Sequence, residues 1–201
     1  MKNKNWIFIA GIALGLVVIL LVWGIPRLTP HTFTGTLLQS PSEAHNFTLY
    51  SSNGRQVSLE DYRGKLVMLY FGYTFCPDVC PASLAEASQA LKILGDDAKD
   101  VQLIMISVDP ERDSPSKTAE YVKFFHPDYI GVTGSAEEIA EVATLYGIFY
   151  QKNEGSEATD YLVDHTATIT VVDQKGHVKL VFAYGTEAED IAADLKYLLE
   201  H

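Results

Sequence analysis

The chain has 201 residues, a formal net charge of −11, and two cysteines. Lys2, Lys4 and Arg27 precede His31 with no acid among them, so the rest carries 12 basic against 26 acidic residues, −14. A surface that acidic excludes a nucleic-acid binder, which needs clustered Lys and Arg, and peripheral docking on anionic lipid.

The chain opens with a short basic stretch and then Trp6 to Pro26, without a charge. About 20 apolar residues cross a bilayer core as a helix. Trp6 and Trp23 sit near its ends, where interfacial anchors sit, and Lys2 and Lys4 hold the N-terminus in the cytoplasm. The reading is a signal-anchor transmembrane segment over 1–27. It makes a single-pass protein of the cell membrane with its soluble domain on the extracytoplasmic side; a cleaved signal peptide, the alternative, leaves the domain on the same side. Residues 28–44, without clear period, read as a linker, and 45–201 as one domain.

Phe47–Tyr50 and Gln56–Leu59 flank Asn53-Gly54, which predicts a β-hairpin. Leu66–Phe71 is apolar throughout, as a strand buried on both faces is. Pro81, taken as a first helical position, opens a helix that Gly95 ends. Val101–Val108 reads as a second buried strand, and Ser114-Pro115 starts a helix to about Phe125. A short strand at 129–133 and a helix capped by Ser135 and Glu138 follow. Ile148–Gln151 fits a strand, and Lys152–Asp160 a polar, mobile loop. Thr166–Val172 and His177–Phe182 form a hairpin, and Thr186 with Glu189 caps a last helix. Strand–helix–strand units imply a parallel core, and the terminal hairpin adds antiparallel strands. The fold class is therefore α/β: an N-terminal hairpin, then a central mixed sheet flanked by helices. A dithiol between the first core strand and its helix is the thioredoxin-like layout, with the extra hairpin as a peroxiredoxin-like elaboration.

That dithiol is Cys76-Pro77-Asp78-Val79-Cys80-Pro81. At a helix start, the dipole and open N–H groups favour a thiolate, below the free pKa of about 8.5. Three intervening residues make a wider ring than a redox C-x-x-C. The pair can serve as a dithiol, a disulfide or two metal ligands; as a staple, a ring this small constrains little chain entropy. A dithiolate selects Cu(I), and an added imidazole suits Cu(II). Of six histidines, His31, His45, His126, His177 and His201 lie at the tether, strand starts, a helix end or the terminus. His165 enters the last hairpin, whose loop faces the cysteine loop in a thioredoxin fold. A histidine there is either a ligand or simply hydrogen-bonded.

Three stretches, Tyr70–Pro81, Ser107–Pro115 and Val163–Thr166, together resemble the Sco/SenC family over roughly residues 42 to 200. Those are membrane-anchored, thioredoxin-fold copper proteins needed to assemble the Cu-A centre of cytochrome c oxidase. The resemblance implies that Cys76, Cys80 and His165 bind copper, as Cu(I) or Cu(II), and that the cysteines can form a disulfide. It implies a partner, the oxidase subunit carrying Cu-A, together with a copper donor or a thiol-reductant protein. Asp78, Asp109 and Asp164 are candidates for groups around the ligands, and Arg112 and Asp113 for shaping the site or ordering their loop. The function expected is a metallochaperone. The alternative is a thiol–disulfide oxidoreductase in which Cys76 and Cys80 are the catalytic pair, keeping the Cu-A cysteines reduced. A peroxidase would need neither His165 nor so close a second cysteine.

Overall fold

The computed structural model describes residues 4–24, 31–154 and 160–201, and divides into two units between Thr32 and Phe33. The first contains helix α1, Lys4–Gly24, of 21 residues. Its described side chains, Trp6 and those of 9–20, are exposed. Over the described residues no helix is long and apolar enough to cross a membrane; the span expected at 1–27 extends past them at both ends. Lys2, Pro26, Arg27, Leu28 and Pro30 lie outside the described residues, as does the side chain of Trp23.

In the second unit the apolar runs become the sheet's centre. Strand β4 (Leu66–Gly72) and strand β5 (Val101–Ser107) are parallel, and every residue of both is buried. Each Leu, Ile or Phe so buried is worth about 1.5–3 kcal/mol against solvent exposure, with a compact denatured state lowering the net. Strand β6 (Ile130–Val132) extends the parallel side. On the other edge of β4 runs β9 (Ile169–Val172), antiparallel to it, and β10 (Val178–Phe182) pairs antiparallel with β9. The central sheet is thus mixed, as expected. Strand β2 (Thr48–Tyr50) and β3 (Gln56–Ser58) form the N-terminal hairpin, and Asn53 and Gly54 turn it with φ of 58° and 70°. Helix α2 is Val79–Leu94, α3 Pro115–Lys123, α4 Ala136–Leu145 and α5 Ala188–Glu200. The expected caps at Ser114 and Ser135 are present, with side chains accepting from Lys117 and Glu138 N–H.

Five expectations are corrected. The linker read at 28–44 is largely domain: β1 (Thr36–Leu37) pairs with β10 and completes a six-stranded sheet in the order β1-β10-β9-β4-β5-β6. The Thr34 and Gly35 N–H groups donate to the buried Asp194 carboxylate at 3.0 and 2.9 Å. Without this strap β10 would present an open edge; the contacts are mostly backbone, so they leave no apolar period. Helix α2 begins at Val79, two residues before Pro81, which places Cys80 inside its first turn. Residues 152–154 are not loop: β7 (Tyr150–Glu154) and β8 (Tyr161–His165) form a hairpin of their own, and residues 155–159 lie outside the described residues. Thr166–Thr168 is accordingly not strand. Thr186 does not cap α5: its hydroxyl donates to Ala183 O, and Glu187 holds the cap position without a side-chain bond.

Candidate metal centre

The chain leaves β4 at Gly72, whose missing side chain matters. A Cβ there would lie 2.9 Å from Cys80 Sγ and 2.8 Å from Tyr70 Cε1, closer than atoms pack. The loop from Tyr73 to Asp78 is then pinned from beneath. Buried Asp113 accepts from Thr74 N–H at 2.8 Å, Thr74 Oγ1 at 2.5 Å and Ser107 Oγ at 2.7 Å. Asp113 therefore holds the cysteine loop on the end of β5, more than ordering its own segment.

The two cysteines are free thiols of unequal standing: Cys76 is 8% exposed and Cys80 0%. Cys80 N–H donates to Cys76 Sγ at 3.4 Å. The Cys80 thiol, His165 and the open N–H groups of Asp78 and Cys80 bring the Cys76 pKa down to about 4, against the effect of its burial. Burial, reinforced by the neighbouring Cys76, pushes the Cys80 thiol up. Iodoacetamide should therefore modify Cys76 ahead of Cys80. Its rate at pH 6 should stay near that at pH 8, whereas an unperturbed thiol slows roughly a hundredfold over that range. Mass-resolved alkylation checks this, and a parallel slowing at Cys76 would refute the ionised thiol.

His165 ends β8. Its Nε2 lies 3.2 Å from Cys80 Sγ and its Nδ1 lies 3.3 Å from Thr166 O, so Nε2 is the ring nitrogen turned toward the sulfurs. Tyr70 and Tyr73 hold the ring edge-on, with centroids at 6.2 and 5.9 Å. The ligand atoms of Cys76, Cys80 and His165 all lie within 4.8 Å of one another. Two sulfurs and an imidazole are the soft donor set that suits copper.

The remaining expected residues divide. Asp109, fully buried, accepts from Arg112 Nε at 2.6 Å and from Tyr161 OH at 2.5 Å. Arg112 Nη1 donates to Tyr161 O at 2.9 Å, and the guanidinium stacks 3.5 Å over the Tyr161 ring and 4.8 Å from Phe75. This clamp joins the β5–α3 loop, the hairpin that carries His165, and the cysteine loop. Tyr73 OH adds a second tie, accepting Val163 N–H at 3.2 Å. Asp164 does not orient His165: it is exposed and accepts from Asn153 Nδ2 across the hairpin. The Asp78 carboxylate is exposed and makes no cap bond; Asp78 acts on Cys76 through its backbone N–H. His126 accepts from Asp128 N–H and His177 faces Asp173, and neither belongs to the cluster. Sequence reasoning missed Tyr161, although strand alternation puts Tyr161, Val163 and His165 on one face and Asp164 on the other.

The family model described as SCO1/SenC matches residues 36–200. The chain belongs to the SCO1/SenC family. The cattle protein SCO2 homolog, mitochondrial, is 37% identical over 165 residues, which cover 81% of this chain and 62% of that protein. This Sco chain therefore spans less than two thirds of that relative. The solution structure of apo Sco1 from Thermus thermophilus superposes with a TM-score of 0.75 at 42% identity, covering 84% of this chain and 98% of that one. Bradyrhizobium japonicum ScoI with copper bound gives 0.71 at 41% identity, covering 79% and 100%. BsSco, a member of the Sco family of cytochrome c oxidase assembly proteins in which a disulfide switch was identified, gives 0.62 at 26% identity, covering 81% and 98%. The expected thioredoxin-like α/β fold matches these Sco structures. Sco structures hold copper, and Cys76, Cys80 and His165 here are positioned to bind a metal ion, so copper stands as the cofactor expected from the sequence.

Proposed function

We propose that this Sco protein is a membrane-anchored, extracytoplasmic copper carrier that serves assembly of the Cu-A centre of cytochrome c oxidase. One observation carries the reading: the Cys76–Cys80 pair and His165, 85 residues beyond Cys80, meet with all three ligand atoms within 4.8 Å of one another. The uncharged run from Trp6 to Pro26, with continuous helix across most of it, supports the anchor. The family of the related BsSco supports the oxidase.

The asymmetry of the sulfurs suits transfer. Copper is cargo here, held by the three ligands that the described residues bring together. Cys76 faces the opening and Cys80 the interior, so an incoming thiolate on the oxidase subunit reaches the Cys76 side first. His165 and Cys80 keep hold until that exchange is made.

A second reading is favoured by the same asymmetry. The Cys76 thiolate can attack a disulfide of the oxidase subunit, forming a mixed disulfide and releasing one partner thiolate. Cys80 then gives its proton to His165 Nε2, 3.2 Å away, and displaces the second partner thiolate, leaving Cys76–Cys80 oxidised.

Copper added to the reduced full chain should raise its melting temperature, since a ligand at 100 times its Kd adds about 2.7 kcal/mol to the folded state. In a deletion strain the full chain should remain with alkali-washed membranes and restore Cu-A assembly, while its His165→Ala variant should not. No thermal shift with copper would count against the carrier, recovery of Cu-A by His165→Ala would transfer the role to thiol reduction, and extraction by alkali would remove the anchor.

A further inference from the structure

Tyr70, on β4, is fully buried, and its hydroxyl makes no hydrogen bond among the described residues. Native folds rarely keep a buried O–H unmatched without a use for it. Its surroundings narrow that use. The edge of the phenol and Cys80 Sγ press on the same side of Gly72, at 2.8 and 2.9 Å from where its Cβ would stand, so no side chain separates them there. The His165 ring stands edge-on to the same phenol. Ser83, one turn along α2 and nearly buried, also stands beside the phenol.

The geometry points to Tyr70 as the hydrogen-bond donor that receives the Cys80 sulfur when that sulfur is a copper-bound thiolate, an inference that rests on the copper site proposed above. A thiol sulfur is a weak acceptor, whereas an anionic sulfur is a strong one. The unmatched hydroxyl therefore weighs on the copper-free pocket and is relieved in the loaded one. Tyr70 acts on the metal through Cys80; it is a positioning residue, not a ligand.

Tyr70→Phe in the full reduced chain separates this role from packing. With a chelator present, its melting temperature should equal or slightly exceed that of the parent, because only an unmatched hydroxyl is lost. Copper affinity, measured by competition, should fall about tenfold, the lower end of what removing a group that supports a ligand costs. The sulfur-to-Cu(II) charge-transfer band should move to longer wavelength, because a thiolate deprived of a donor holds its electrons less tightly. Affinity within twofold of the parent with an unmoved band would overturn the assignment and leave the copper site standing. A drop in melting temperature without copper, with the band unmoved, would make Tyr70 a wall residue and overturn it as well. A parent chain that shows neither band nor thermal shift with copper overturns both this inference and the copper site.

Discussion

His165→Ala lowers Cu(II) affinity by more than about 100-fold, beyond the roughly 10–100-fold that losing a group behind a ligand costs. The imidazole is the one nitrogen donor within reach of both sulfurs among the described residues, and Nε2 already points at Cys80 from 3.2 Å. What remains is a two-sulfur site that suits Cu(I) and gives Cu(II) no borderline donor. Both cysteines keep reacting with a thiol reagent, because neither is attached to β8. The fold loses little: the half-buried ring touches Tyr70 and Tyr73 edge-on, and the hairpin stays tied through Tyr73 OH and Arg112. Competition titration of the reduced variant with Cu(II) decides it. Affinity within threefold of the parent would remove His165 from the ligand set.

Arg112→Met costs about 3–5 kcal/mol of stability, the penalty for leaving a buried charge without its partner. For a domain of this size that is a fall in melting temperature of roughly 10 °C. The reason lies with Asp109, which is 0% exposed and, among the described residues, keeps only the Tyr161 hydroxyl once the guanidinium is gone. Copper affinity falls too, since the same guanidinium holds the Tyr161 end of the hairpin whose other end is His165. The double variant Asp109→Asn with Arg112→Met should recover part of the stability, because it removes the orphaned charge. It should recover none of the copper affinity, because the hairpin stays unclamped. Urea unfolding with an unchanged m-value measures the first effect and copper competition the second. Arg112→Met within 1 kcal/mol of the parent, or a double variant no more stable than the single, would dismiss the buried clamp.

The cysteine pair was legible because everything that makes it a site is local. A uniformly apolar strand, a short loop and a helix start fix where two sulfurs four residues apart must sit. His165 was legible only through the fold class and the family resemblance, and its immediate setting was read wrongly. Residues 150–154 and 161–165 alternate too little and carry too many charges to look like a buried hairpin; they are strands because they pair with each other, with one face on the cysteine loop. Asp164 shows the reverse case. Its rejection was available from strand alternation, which sends it away from the face that His165 shares with Tyr161 and Val163.

The sequence by itself determined which donor atoms this protein owns and which elements deliver the two sulfurs. Thiols, imidazole, apolar runs, caps and the Asn-Gly turn act over four residues or fewer, and such effects are written in order along the chain. Only the tertiary structure decided which sulfur faces the opening, what stands behind Cys80, and what holds the histidine in place. The Arg112 and Asp109 contacts to Tyr161 span 49 and 52 residues, and the Cys80 contact to His165 spans 85. Burial, Coulomb attraction and hydrogen bonding depend on distance through space, so a spacing of that length carries no record of them until the sheet has formed.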